Sequence, residues 1–170
     1  MNPLATYDYL ALARRRILDQ ARPLGAGAYE REFPIGPGTL GRTLTHVMVS
    51  EWYYVQRLGR RDVPPYEAWP IRWEDPPPFA ALEQAWARQA ADTRAALGAV
   101  RDWSERIEYR VTADDGRALI ASTTADGIFT QLVLHEVHHR AQAMNMLRHL
   151  GVPAEDLDFN ALMYERREAP

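Results

Sequence analysis

Hydrophobic positions recur with two different periods along this chain, and the change of period divides it into helices and one hairpin. Tyr7, Leu10, Arg14, Ile17, Leu18 and Ala21 follow the 3.6-residue period of a first amphipathic helix, closed by Pro23 and Gly25-Ala26-Gly27. A second helix opens with Thr39 as its N-cap and runs to Leu58 or Gly59. Gly36 and Gly38 precede it; with no strand or phosphate-loop pattern before them, they read as loop punctuation rather than an anion cradle. Residues 60–78 are rich in proline and aromatics and too broken for a helix. Connections of that length often form lids or binding loops, so Trp69 and Trp73 are expected either to roof a cavity or to cover the end of the bundle.

Asp75 is the expected N-cap of a third helix, with Pro76 in its first position and a buried stripe of Phe79, Leu82, Trp86, Ala90, Thr93, Leu97 and Val100. Beyond Val100 the period falls to two. Ile107, Tyr109 and Val111 alternate with charged residues, Asp114-Asp115-Gly116 signals a turn, and Ala118 to Ala121 leads back, which predicts a β-hairpin. Thr123, Thr124 and Asp126 then cap a long final helix ending near Gly151. The expected fold class is all-α: a four-helix bundle whose long connection between helices three and four contains a small β-hairpin, in one domain spanning 1–170.

The final helix carries four of the five histidines. At about 100° per residue, Ile128, Leu132, His135, His139, Gln142 and Met146 share one quadrant. Two imidazoles and an amide thus interrupt an apolar stripe, and a buried polar group without a partner costs about 1 to 3 kcal/mol. A metal ion bound by both rings would satisfy them, since i, i+4 spacing stacks His135 and His139 one turn apart; hydrogen bonding within the core is the plainer alternative. His46, alone on the second helix, supplies a third imidazole, and three imidazoles with an open position form a catalytic zinc arrangement. Imidazole also suits nickel, copper and iron. Ser50 and Tyr54 follow His46 at successive i, i+4 steps and are expected along the same seam as cavity groups. A second apolar stripe, Phe129, Val133, Val137, Met144 and Leu147, asks for a second packing partner, and a homodimer is one way to supply it. His138 and His149 point away from the proposed site.

Composition removes several chemistries. The chain has no cysteine, so disulfides, thiolate sites and cysteine nucleophiles are excluded. All 20 basic residues are arginine, which excludes lysine chemistry. A net charge of -3, with no basic run longer than Arg14-Arg15-Arg16, gives no nucleic-acid footprint, and that triplet reads as the solvated side of the first helix. With neither a secretory leader nor a membrane-spanning run, a cytoplasmic protein is expected.

Leu44-Thr45-His46, the run His135-x-x-x-His139-Arg140-Ala141-Gln142, and Pro153 followed by Leu157-Asp158-Phe159 together resemble the DinB-like superfamily of metalloenzymes over nearly the whole chain. Ala141 stands where the superfamily's motif has glycine. The resemblance implies a divalent metal, often zinc or nickel, held by His46, His135 and His139, and often a homodimer. Gln142 matches the motif's glutamine, and its face suggests that it fixes an imidazole or lines the cavity. Arg140 lies off that face and is expected in a structural ion pair. Characterised branches of the superfamily transfer low-molecular-weight thiols such as bacillithiol to electrophiles, or use mycothiol in an isomerisation. The expectation is therefore a metal-dependent thiol S-transferase acting on a small-molecule electrophile in detoxification or stress response. The alternatives are a metal-dependent hydrolase and a non-catalytic, dimeric metal-binding stress protein, whose site a fourth ligand such as Glu51, Glu136 or His138 would close.

Overall fold

The computed structural model describes residues 2–113 and 115–168. Four long helices dominate it: α1 (Pro3–Ala21), α3 (Leu40–Leu58), α4 (Phe79–Ala99) and α5 (Ala125–His149). Short helices α2 (Ala26–Tyr29) and α6 (Phe159–Met163) and one 3-10 turn (Tyr66–Ala68) fill the connections. Strands β1 (Arg106–Thr112) and β2 (Ala118–Thr124) pair antiparallel between α4 and α5, in register from Arg106 opposite Thr124 to Thr112 opposite Ala118. The fold is thus the expected helical bundle with a hairpin inserted before its last long helix. α5 packs on α3 and α1, and α4 packs on the same two from the other side.

Local chemistry explains where these helices start. Asn2, Thr39 and Thr124 each turn a side-chain oxygen onto a first-turn amide, accepting from Ala5, Arg42 and Gly127 at 3.0 to 3.1 Å. Because β2 runs straight into the Thr124 cap, the hairpin fixes the entry of α5. Ile107 of β1 closes a small apolar cluster with Ala125 and Ile128. The main core gathers Leu10, Leu40, Leu82 and Met146, all without solvent exposure.

Several details depart from the sequence-based expectations. α4 begins at Phe79 behind Pro78, not at an Asp75 cap, and Pro78 makes no side-chain cap bond. Pro76, Pro77 and Pro78 each disfavour helical backbone in the residue before them, so the run stays extended until its end. Gly25-Ala26-Gly27 does not simply end a helix; it leads into the single turn of α2. The predicted hairpin turn includes Asp114, which lies outside the described residues; Gly116 adopts φ 83°, as a tight reversal requires. The largest difference concerns charge. Arg14 is buried at 6% exposure, whereas Arg15 and Arg16 face solvent. On α5 the buried face runs through Ile128, Leu132, Glu136, Arg140 and Ala143, so two charged residues occupy core positions and His135 and His139 flank them, half-buried.

Candidate metal centre

α3 and α5 pack side by side, and this contact brings together histidines 89 residues apart. His46 Nε2 lies 3.1 Å from His135 Nε2. The His139 ring centroid is 4.5 Å from that of His46 and 4.4 Å from that of His135. One nitrogen from each ring falls within a group no more than 4.8 Å across. Two facing Nε2 atoms at this distance either share one proton or direct both lone pairs at a common cation. For a tetrahedral ion with bonds of about 2.0 to 2.1 Å to nitrogen, ligand atoms sit ~3.3 Å apart. The His46 and His135 separation already matches that edge.

The third ring is oriented from outside. His139 Nδ1 donates to Gln142 Oε1 at 2.8 Å, which leaves Nε2 as the nitrogen with a free lone pair. The Gln142 amide in turn donates from Nε2 to His138 Nε2 at 3.1 Å, so both ends of the amide are engaged. The loop before α3 closes on this amide. Gly36 adopts φ 48°, and a Cβ there would stand 2.1 Å from Gln142 Oε1, so a side chain at this position would be strained and would push the Gln142 amide aside. His46 has no comparable partner: its Nδ1 is buried and unpaired, and the edge of Trp73, 5.7 Å between centroids, packs on its ring.

These surroundings keep the imidazoles neutral. Burial, reinforced by the neighbouring His139, pushes His46 down from 6.5 to about 4. Burial, followed by the His139, His46 and His138 charges, pushes His135 down to about 3. His139 is lowered as well, mainly by burial and partly offset by its bond to Gln142. Neutral rings with free lone pairs are the form a metal ion requires.

Directly behind the histidines lies a buried charge cluster that ties α1, α3, α4 and α5 together. Arg14 Nη2 is 2.7 Å from Glu51 Oε2 and 2.6 Å from Glu136 Oε2, and its Nε donates to Glu136 Oε1 at 3.3 Å. Glu51 also accepts from the Tyr7 hydroxyl (2.6 Å), the Trp86 indole (3.0 Å) and the Thr93 hydroxyl (2.5 Å). The Arg14 guanidinium lies 4.4 Å over the Trp86 ring. Burial raises the Glu136 carboxyl pKa, although Arg14 opposes it. Glu51 and Glu136, two candidates for a closing fourth ligand, are committed to Arg14 and stand outside the histidine group.

The helical bundle, the hairpin before α5 and the three converging histidines now stand beside a family-level match: the DinB family profile fits residues 1–168. The chain belongs to the DinB family. No curated protein matches the sequence. The three-histidine group of this DinB protein joins the α3 histidine to the HxxxH pair of α5 and is consistent with a metal site.

The other predicted residues of the DinB protein divide around this centre. Tyr54 stands 5.8 Å from His135 between ring centroids, and its hydroxyl accepts from Gln131 at 3.3 Å. Ser50 is half-buried and makes no hydrogen bond to the cluster among the described residues. Trp73 reaches the histidines. Trp69 does not: it stacks on Tyr53 at 5.5 Å, and its indole donates to Pro64 O. His149 packs near Phe33, away from the site. Arg140 lies over the Tyr9 ring and donates to the Tyr9 hydroxyl, instead of forming the expected ion pair. Sequence reasoning missed Arg14, Glu51 and Glu136 as a unit and missed Gly36 as the support of Gln142. Arg14 left a signal: a cation on an otherwise apolar stripe needs a buried carboxylate opposite it.

Proposed function

We propose that this DinB protein holds one divalent metal ion, zinc or nickel, on His46, His135 and His139, and uses it as an enzyme that transfers a low-molecular-weight thiol such as bacillithiol to an electrophilic small molecule. The observation that carries the reading is the Nε2 pair of His46 and His135 at 3.1 Å, beside a His139 ring whose other nitrogen is already given to Gln142. Among the described residues no carboxylate joins the group, and a three-imidazole set keeps a position for an external ligand.

When bound, the metal supplies Lewis-acid chemistry that lowers the pKa of a coordinated thiol or water. The chain's own part is orientation and exclusion. Gln142 holds His139 in the tautomer that presents Nε2, Gly36 backs Gln142, and the Arg14 cluster fixes α3 against α5. Trp73 and Tyr54 supply aromatic walls beside His46 and His135 and shield the centre from water. Burial keeps the Tyr54 phenol neutral, so it acts as a hydrogen-bonding group there. Detoxification or a stress response is the corresponding role. A second copy is proposed to pack on the solvent side of α5, where Leu134 and Val137 remain exposed.

The test is spectroscopic and kinetic together. Protein loaded with cobalt is titrated with bacillithiol, and conjugation of bacillithiol to monochlorobimane is followed in parallel. A sulfur-to-metal charge-transfer band with accelerated conjugation supports the transferase. No band and no conjugation, with metal-dependent ester hydrolysis in their place, moves the reading to a hydrolase. Bound metal with neither activity moves it to a non-catalytic metal-binding protein.

A further inference from the structure

Away from the histidines, α3, the proline-rich loop and β1 enclose a cleft of about 760 Å3. That volume lies within the range of small-molecule sites, roughly 300 to 1,000 Å3. Its walls alternate guanidinium groups and aromatic rings. Arg57 is held between Tyr53 and Tyr109, its guanidinium carbon 4.9 and 4.7 Å from their centroids. Its Nη2 donates to Arg110 O at 3.3 Å, and its Nε is buried with no partner. Trp69, stacked on Tyr53, forms the adjoining wall.

The charge balance of the cleft is positive although the chain as a whole carries -3. Arg57, Arg60, Arg61 and Arg110 line it against Asp62 and Glu108. Arg60 is neutralised from outside by Glu105 at 2.6 Å, and Glu108 by Arg106 at 3.0 Å. Arg57, Arg61 and Arg110 have no carboxylate partner among the described residues. The backbone here is also unusual. Arg60 adopts φ 55°, a left-handed conformation that normally selects glycine at a helix end. Such outliers persist where the surroundings hold them in place. This one aims Arg60 at Arg106 O and Glu105 and so clamps the hairpin against the end of α3.

From this geometry we infer that the cleft is a binding site for a small aromatic or planar anion, a carboxylate, sulfonate or phosphate ester. The flat part packs on the open face of Trp69 beside Tyr66, and the anionic head meets the remaining Nη1 of Arg57 and the guanidinium of Arg61. The volume of this open cleft suits a single small molecule better than a nucleic-acid strand. The site is distinct from the histidine group. Tyr53 and Tyr54, with ring centroids 5.6 Å apart, stand between them, and the inference holds whether or not metal is bound.

The test uses the full chain and two fluorescent probes of the same skeleton, anilinonaphthalene sulfonate and neutral phenylnaphthylamine. The sulfonate should bind at one saturable site, about ten-fold more tightly than the neutral probe, as expected for a charge-assisted contact. Arg57→Gln and Arg61→Gln should each weaken the sulfonate about ten-fold, while Arg148→Gln on the far end of α5 leaves it unchanged. Arg61 is exposed, so its variant remains a fair test if Arg57→Gln disturbs the hairpin. Equal binding of the two probes, or sulfonate binding that ignores Arg61→Gln, overturns the site. Displacement by a single-stranded oligonucleotide at lower concentration than by phenyl phosphate overturns it in favour of nucleic acid.

Discussion

Replacing Arg14 by methionine probes the element on which the geometry of the histidines depends. Arg14 Nη2 touches both Glu51 and Glu136 within 2.7 Å, in a site where all three side chains are at most 6% exposed. Methionine fills the space and removes the cation that contacts both carboxylates, leaving them facing each other out of water. Breaking a buried ion pair in this way costs about 3 to 5 kcal/mol, a large share of the 5 to 15 kcal/mol that a domain has. For a chain of this size, that is a fall in Tm of roughly 6 to 20 °C. Glu51 keeps three donors, from Tyr7, Trp86 and Thr93, whereas Glu136 loses its partner, so Glu136 is the group that must take up a proton. A carboxyl whose folded pKa is raised above its unfolded value stabilises the fold below the unfolded pKa and loses that contribution as pH rises through the folded one. The difference between variant and wild type should therefore shrink from pH 7 toward pH 5, and Glu136→Gln added to Arg14→Met should recover part of the loss. Urea unfolding of the metal-free proteins, followed by circular dichroism, measures both. A loss below 1 kcal/mol, or no recovery in the double variant, refutes the reasoning.

Other predictions concern the site itself. Gly36→Ala puts a methyl group 2.1 Å from Gln142 Oε1 at a positive φ; it should lower stability by about 1 to 3 kcal/mol and weaken metal binding about ten-fold, and Gln142→Ala should weaken metal binding alike, by competition with a chromogenic chelator. An unchanged affinity in both variants would remove Gln142 as the support of His139. In the metal-free protein, the unfolded chain protonates near 6.5 while folded His46 and His135 wait until about 4 and about 3, so stability should fall as pH drops below 6.5 and level off near those lower values. A flat stability profile across that interval, after the Glu136 effect is subtracted with Glu136→Gln, would contradict the burial of these rings. Val137→Glu should yield monomers by light scattering if α5 pairs two copies; an unchanged mass would show that the helix meets no partner there.

Much of the architecture was legible because period and capping act locally. The four long helices, the hairpin and the Thr39 cap follow from side-chain spacing and short-range hydrogen bonds. The histidine pair on α5 was legible for the same reason, and His46 because it was the one histidine elsewhere. What escaped depended on contacts distant in sequence. Arg14 looks like part of a solvated arginine triplet until Glu51 and Glu136, 37 and 122 residues away, are seen around it. The buried face of α5 was read through His135 and His139, because apolar periodicity cannot show that a carboxylate and a guanidinium will be core residues once each has a buried partner. Gly36 looks like loop punctuation in the sequence, and its contact with Gln142 arises only when the loop folds over α5. The arginines of the cleft are spread from Arg57 to Arg110, and no local pattern unites them.

The most direct test of the central claim is elemental analysis of the protein purified without an affinity tag or chelator, beside its His46→Ala variant. Near one equivalent of zinc or nickel in the wild type, lost in the variant, is the predicted result. No metal in the wild type even after reconstitution, or equal metal in both proteins, would contradict it.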